Sequence, residues 1–259
     1  MALARNLTWD DCSMPEPAAP PPHSRLRFVF LDVGETMLRV TQPGATYGAI
    51  LARYGYAVPA ETLDATIRAL FRELDAIVPR QRNPDHTISF ELAQRRRELL
   101  VEGVLQRVGI AAAHAHAIAE EFRASWIGTS IFQMYPEVPP ALEALRAAGY
   151  RLGIVSNWEP RLPQLCASHG ILDHFEFVVS SESEGYVKPH PRLFERALEL
   201  AGIAPDEAVH VGDSYPEDVE GARGAGIQAV LVDRGAKGRV PYWPTIQSLA
   251  ELPPLLSQL

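Results

Sequence analysis

A chain of 259 residues with 47% apolar side chains can build one large domain, or a core with a smaller companion, and is not a disordered chain. Its net charge of −8, with no basic run longer than Arg95-Arg96-Arg97, argues against nucleic acid as a partner. Two cysteines, Cys12 and Cys166, cannot form a disulfide framework, and no apolar run or leader-like segment is evident, so a soluble cytoplasmic protein without membrane contact is expected.

Residues 1–24 include MPEPAAPPPH, a density of Pro and Ala that predicts a flexible, polyproline-like tail. Residues 27–38 then read RFVFLDVGETML. Phe28, Val29, Phe30 and Leu31 form a short continuous apolar run, which suits a strand buried on both faces in a parallel sheet. The run stops at Asp32, and open α/β sheets place their ligands at the carboxyl ends of their strands. Gly34 allows a tight turn, and the Thr36 hydroxyl is expected to cap or orient it. By itself Asp32 is equally well read as a turn cap.

From residue 41 to about 126 the chain has helical periodicity and almost no strand-like runs. Helices are predicted from residue 47, over 60–77, over 90–108 and over 111–126, with Asn83-Pro84-Asp85 as a break. Thereafter strand and helix alternate. Helices are expected at 139–148, 161–169, 191–201, 217–225 and 246–252. Strands are expected at 151–155, 175–180, 208–212 and 228–232. Such alternation means βαβ units, a parallel sheet and right-handed crossovers. The predicted architecture is a doubly wound α/β core (25–40 and 127–259) interrupted by an all-helical segment (41–126).

In a parallel sheet the carboxyl ends share one edge. Asp32 ends the first strand, and Ser156 and Asn157 end the second in GIVSNW. Lys188 lies just past the third in SESEGYVKPHP, and Asp213 ends the fourth in VHVGDSYPED. Two carboxylates, a hydroxyl and an ammonium on one edge suit phosphoryl chemistry, because the acids can hold Mg²⁺ while lysine offsets charge on the transferring group. Each residue alone has a plainer reading: Ser156 as a helix cap, Lys188 as a surface lysine, Asp213 and Asp218 as turn and helix-start residues.

LDVGET, VSN, KPHP and GDSYPED occur in the order of the haloacid dehalogenase-like hydrolase superfamily, which the chain resembles from residue 25 to roughly 252. Within it the motifs are most similar to the group called haloacid dehalogenase-like hydrolase domain-containing protein 3. The resemblance implies a Rossmann-like core of strand order 5-4-1-2-3 and a helical cap that opens and closes over the site. It implies that Asp32 is the nucleophile, forming an aspartyl-phosphate that water cleaves. Ser156 and the amide of Asn157 would bind the phosphoryl oxygens. Lys188 would sit between Asp32 and the phosphate, its loop held by Pro189. Mg²⁺ would be bound by Asp32, the carbonyl of Gly34, Asp213 and, directly or through water, Asp218.

One position departs from the pattern. Phosphatases of this superfamily carry a second aspartate two residues after the nucleophile, where this chain has Gly34. The backbone metal ligand survives but the general acid–base does not, and such a group is typically worth about 10²–10⁴ in rate. Weak activity is therefore expected, with a phosphorylated small molecule as substrate. Alternatives are a carbon–halogen hydrolase and a non-catalytic binding protein, whether monomer or homodimer. A Schiff-base phosphonatase is argued against, because residues 41–126 contain no lysine. Glu35 is expected at the surface or against the helices rather than as a substitute acid.

Further substrate-side candidates are Thr36 and Trp158, then Arg39, Arg53, Arg68, Arg72, Arg80 and Arg82, most of these arginines being ordinary solvated residues. Trp126 reads as hinge or core. His114 and His116, two apart on a helix, face different ways and do not share a metal.

Overall fold

The computed structural model describes residues 25–41, 43–77, 85–235 and 241–259. The tail with Trp9 and Cys12, and also Arg80, Arg82, Asn83 and Pro84, lie outside the described residues. The chain runs through β1 (Phe28–Leu31), β2 (Leu38–Val40), α1 (Pro43–Arg53), α2 (Ala60–Ile77), α3 (Phe90–Arg107), α4 (Ala112–Ser125) and β3 (Phe132–Met134). It continues with α5 (Val138–Ala147), β4 (Arg151–Ser156), α6 (Leu162–Ser168), β5 (Val178–Ser180), the single turn α7 (Ser181–Glu184), α8 (Pro191–Ala201) and β6 (Ala208–Gly212). A π-helical turn (Tyr215–Glu220), α9 (Gly221–Gly224), β7 (Gln228–Val232), β8 (Thr245–Ile246) and α10 (Leu252–Leu256) complete it.

Six strands form one parallel sheet in the order β5-β4-β1-β6-β7-β8. That is the expected 5-4-1-2-3 order with one strand added beyond β7. β1 is central, with Phe30 level with Gly153 on one side and His210 on the other. Its four residues are 0% exposed, each burial contributing about 1.5–3 kcal/mol. Alternate residues serve opposite layers. Val29, Leu31, Ile154 and Val211 pack with Leu142, Leu165 and Leu252 from α5, α6 and α10. Phe28, Phe30, Val155 and Ala208 pack with Phe194 and Ala222 from α8 and α9. Helices therefore cover both faces, the doubly wound arrangement.

The helical segment lies between β2 and β3, which pair antiparallel. Its α1 packs on α2 and α4, and α3 packs on α2 and α4. Tyr47 stacks on Phe122, and the Trp126 indole Nε1–H donates to the Tyr47 hydroxyl at 2.8 Å. Among the described residues no helix is long and apolar enough to cross a membrane.

The structure departs from expectation in short elements. The β2–β3 pair was not foreseen. Ile246 belongs to β8 rather than to a helix, its carbonyl accepting from Asp233 N at 2.8 Å, and the last helix begins at Leu252. The third core strand is only Val178–Ser180, because Phe175 closes a turn on Leu172. Runs of two or three residues carry no usable period, so partners across the sheet decide them.

Gly44 shows how closely α1 and α2 approach. Its N–H donates to the buried Asp64 Oδ1 at 2.7 Å, and a Cβ there would lie 2.2 Å from the carbonyl oxygen of Ala60. Gly44→Ala should cost about 1–3 kcal/mol through overpacking, read as a lower midpoint in denaturant. An unchanged midpoint would contradict this contact.

Candidate active site

β1 delivers Asp32 to the carboxyl edge, and the Asp32 N–H extends the pairing with β6 by donating to Val211 O at 2.9 Å. Asp32 is 6% exposed and Lys188 only 1%. Lys188 Nζ donates to Asp32 Oδ1 at 2.6 Å, to Asp218 Oδ1 at 2.5 Å and to the Val155 carbonyl at 3.1 Å, which uses all three of its protons. Ser156 Oγ also donates to Asp32 Oδ1, at 2.9 Å. Asp32 Oδ2 has no donor among the described residues.

Asp218 is placed by the π-helical turn that follows β6. Its Oδ1 receives Lys188 and the ring Nε2 of His210 at 2.8 Å, and its Oδ2 receives Ser214 N at 2.9 Å. The carboxylate lies against the α-carbon of Gly212, where a Cβ would come within 2.2 Å of Asp218 Cγ. Glycine is required here for space, since its φ is not left-handed.

One oxygen each from Asp32, Asp213 and Asp218 fall within 4.8 Å of one another. Burial, outweighing Lys188, pushes the Asp32 carboxyl above its usual range, with Asp218 adding to the rise. Burial opposes ionisation of Asp218 as well, but Lys188 and His210 outweigh it and hold that carboxyl well below the usual range. Asp213, the most solvent-open of the three, is pushed up to about 7 by desolvation, then by Asp32 and Asp218. Burial also works against the Lys188 charge, and the two carboxylates overcome it. Three acids facing one ammonium leave excess negative charge, and an all-oxygen donor set of this kind fits a hard divalent cation such as Mg²⁺.

The residues flagged from sequence therefore meet: Asp32, Ser156, Lys188, Asp213 and Asp218 share one edge. The Asn157 side chain serves the lysine loop. Its Oδ1 accepts from Lys188 N at 2.7 Å, and its Nδ2 donates to Lys188 O at 3.3 Å and to Glu217 Oε2 at 3.0 Å, so its side chain fastens the lysine loop. Pro189 lies against α9, its Cα 2.9 Å from where a Cβ on Gly221 would sit.

Glu35 is exposed, as expected, but the turn places its left-handed residue there. Glu35, not Gly34, adopts the left-handed conformation, with φ 52°. Its N–H donates to Leu38 O at 2.7 Å, and its carboxylate accepts from the Tyr135 hydroxyl at 3.3 Å. A Cβ on Gly34 would meet only Trp158, at 3.4 Å, an ordinary contact. Trp158 thus borders the loop after Asp32 and continues an aromatic row through Phe132 to Trp126. Thr36 does not cap the turn: it is fully buried and its hydroxyl has no partner among the described residues. Its carbonyl instead accepts two N–H groups of Arg234, whose guanidinium also pairs with Glu137 and stacks on Tyr135. A cleft of about 400 Å³ opens beside Asp213, lined also by Glu35, Tyr215 and Arg234.

The outlying candidates lie in local pairs or on the surface. Arg39 pairs with Gln133, Arg53 with Glu121, and His114 with the Tyr56 hydroxyl. Arg68 and Arg72 are exposed. Sequence reasoning missed His210, Gly212, Glu217 and Arg234. The one signal for His210 was a polar residue inside an otherwise apolar strand.

This sheet order and this edge define a doubly wound α/β protein with an acidic cluster at the carboxyl ends of its strands. The haloacid dehalogenase-like hydrolase profile matches residues 26–226, and the chain belongs to that family. Haloacid dehalogenase-like hydrolase domain-containing protein 3 of Bos taurus is 32% identical over 244 residues, covering 91% of this chain and 95% of that protein. A phosphoserine phosphatase of Thermus thermophilus is 32% identical over 235 residues, covering 83% and 92%. Among solved structures, a 2-haloacid dehalogenase from Pseudomonas syringae matches with TM-score 0.61 at 28% identity, covering 90% of this chain and 99% of that one. The protein is accordingly a hydrolase of this family.

The raised Asp213 carboxyl has a consequence for pH. A group that binds its proton more tightly when folded than when unfolded makes the folded state lose stability as pH rises between the two values, here about 4 and about 7. The metal-free protein should therefore lose stability across that window, and Asp213→Asn should flatten the loss in urea titrations. Added Mg²⁺ should raise the melting temperature of the wild type more at about pH 8 than at about pH 5. Gly212→Ala, which drives the Asp218 carboxylate from its place, should abolish that Mg²⁺ response.

Proposed function

We propose that the protein is a Mg²⁺-dependent phosphatase that acts on a small phosphorylated metabolite through an aspartyl-phosphate on Asp32. The observation that carries this reading is the cluster of Asp32, Asp213 and Asp218 within 4.8 Å, with Lys188 buried between two of them. A dehalogenase reacting at carbon needs no metal, so three acids gathered at Asp32 count against that choice. The Thermus phosphatase relative supports the same choice.

In this reading Asp32 Oδ2, the oxygen without a donor, attacks phosphorus in line. The bond from phosphorus to the leaving oxygen breaks, and its electron pair stays on that oxygen. Lys188 and Ser156 hold Asp32 by Oδ1 and so aim Oδ2. The Lys188 ammonium, its three protons already placed, offsets charge on the transferring group through space. Mg²⁺, held by Asp32, Asp213, the Gly34 carbonyl and Asp218, supplies further charge neutralisation. The leaving oxygen takes its proton from solvent, since Gly34 supplies no acid, and water then cleaves the acyl phosphate. Turnover is accordingly slow and favours good leaving groups. The α1–α4 segment serves as the cap that closes over the substrate.

Two observations favour a second reading. Gly34 and the 28% identity to a haloacid dehalogenase structure both fit attack of Asp32 on a halogen-bearing carbon.

With p-nitrophenyl phosphate, phosphate release should require Mg²⁺ and fall to background in Asp32→Asn. Gly34→Asp should raise turnover by roughly 10²-fold, the lower end for a positioned acid–base group. The backbone at position 34 accepts a Cβ, with only Trp158 near it. Halide release from a 2-haloacid without metal, and none of phosphate, would overturn the phosphatase reading in favour of the second.

A further inference from the structure

His210 is 0% exposed in the middle of β6, level with Phe30 on β1 and Ala229 on β7. These neighbours belong to the apolar layer under α8 and α9, and the Phe194 ring meets the imidazole edge-on at 5.1 Å. Leucine or phenylalanine would fill such a place without burying a polar atom. The imidazole instead makes one polar contact among the described residues, Nε2 to Asp218 Oδ1 at 2.8 Å, and its Nδ1 has no partner. An ionised carboxylate can only accept, so Nε2 carries the proton and donates it. Buried polar atoms without partners are uncommon and call for an account.

We propose that His210 is a positioning residue for the divalent-cation site, acting through Asp218. Lys188 and His210 together occupy Asp218 Oδ1. Ser214 N gives Oδ2 a single donor, and Gly212 leaves the carboxylate room to lie flat against the strand. Rotation of the carboxylate is thereby stopped, and Oδ2 is the oxygen left for the cation or for a water on it. Partners of this kind, one bond removed from a metal, typically change affinity by about 10–100-fold when lost. The inference rests on reading the three-acid cluster as a cation site.

The test is Mg²⁺ titration by calorimetry on wild type, His210→Leu and His210→Gln. NMR of the ring nitrogens in wild type reports the tautomer. His210→Leu should bind Mg²⁺ about 10–100-fold more weakly, although its metal-free melting temperature equals or exceeds that of wild type, because an apolar side chain suits the layer. His210→Gln, which can still donate to Asp218, should recover most of the affinity. A merely structural histidine would instead lower the melting temperature and leave affinity alone. Equal affinity in wild type and His210→Leu, or a proton found on Nδ1, overturns the role of His210 while the cation site stands. No Mg²⁺ binding by wild type overturns the cation site itself. Should His210→Leu fail to fold, an Nε2–H resonance that shifts on Mg²⁺ addition supports the role, and one that does not shift refutes it.

Discussion

The buried ammonium of Lys188 is the interaction on which the rest of the edge depends. It is 1% exposed, and removing a lysine from water is costly unless its charge and all its protons are met. Asp32, Asp218 and the Val155 carbonyl meet them. Three chain segments far apart in sequence are thereby tied to one nitrogen. The two acids do not share it equally. Asp218 has His210 and a backbone N–H in addition, and stays ionised. Asp32 is the acid whose carboxyl rises. An arrangement with surplus negative charge next to Asp32 favours a cation, and the same surplus appears at Asp213.

Two glycines matter here for unlike reasons. Gly212 must lack a side chain because the Asp218 carboxylate fills that space. Gly34 is under no such demand, and the turn takes its left-handed residue at Glu35 instead. The absent second carboxylate is thus a chemical choice at position 34 rather than a steric necessity of the loop. Around it, Arg234 joins the loop after β7 to Thr36, Glu137 and Tyr135, so the turn after Asp32 is braced by that loop.

The helical segment reaches the same machinery. His86 O and Ile88 N pair with Val187 N and Gly185 O, so the approach to α3 lies beside the residues that lead into Lys188. Arg97 of α3 pairs with Glu182 and Glu159, both side chains being nearly buried. These ion pairs join α3 to the loop after β4 and to α7. The helices are consequently coupled to the lysine loop through main-chain as well as charged contacts.

Much of this was legible in the amino-acid order. Apolar runs marked β1, β4, β6 and β7, and helical periodicity marked α2 and α8 with the bounds the structure has. Asp32, Ser156, Lys188 and Asp213 stood out because each ends or follows a strand, and parallel strands share an edge, whereas Asp218 stood out through the resemblance carried by GDSYPED. These are local signals, set by which side chains a single strand or helix must bury. The tertiary structure alone decided β8, the β2–β3 pair and the three partners of Lys188. It also decided the use of Asn157 to hold the lysine loop, the contact of His210 with Asp218, and the space Gly212 leaves for that carboxylate. Each of these depends on distances between segments as much as 156 residues apart, which register and packing settle and no local pattern encodes.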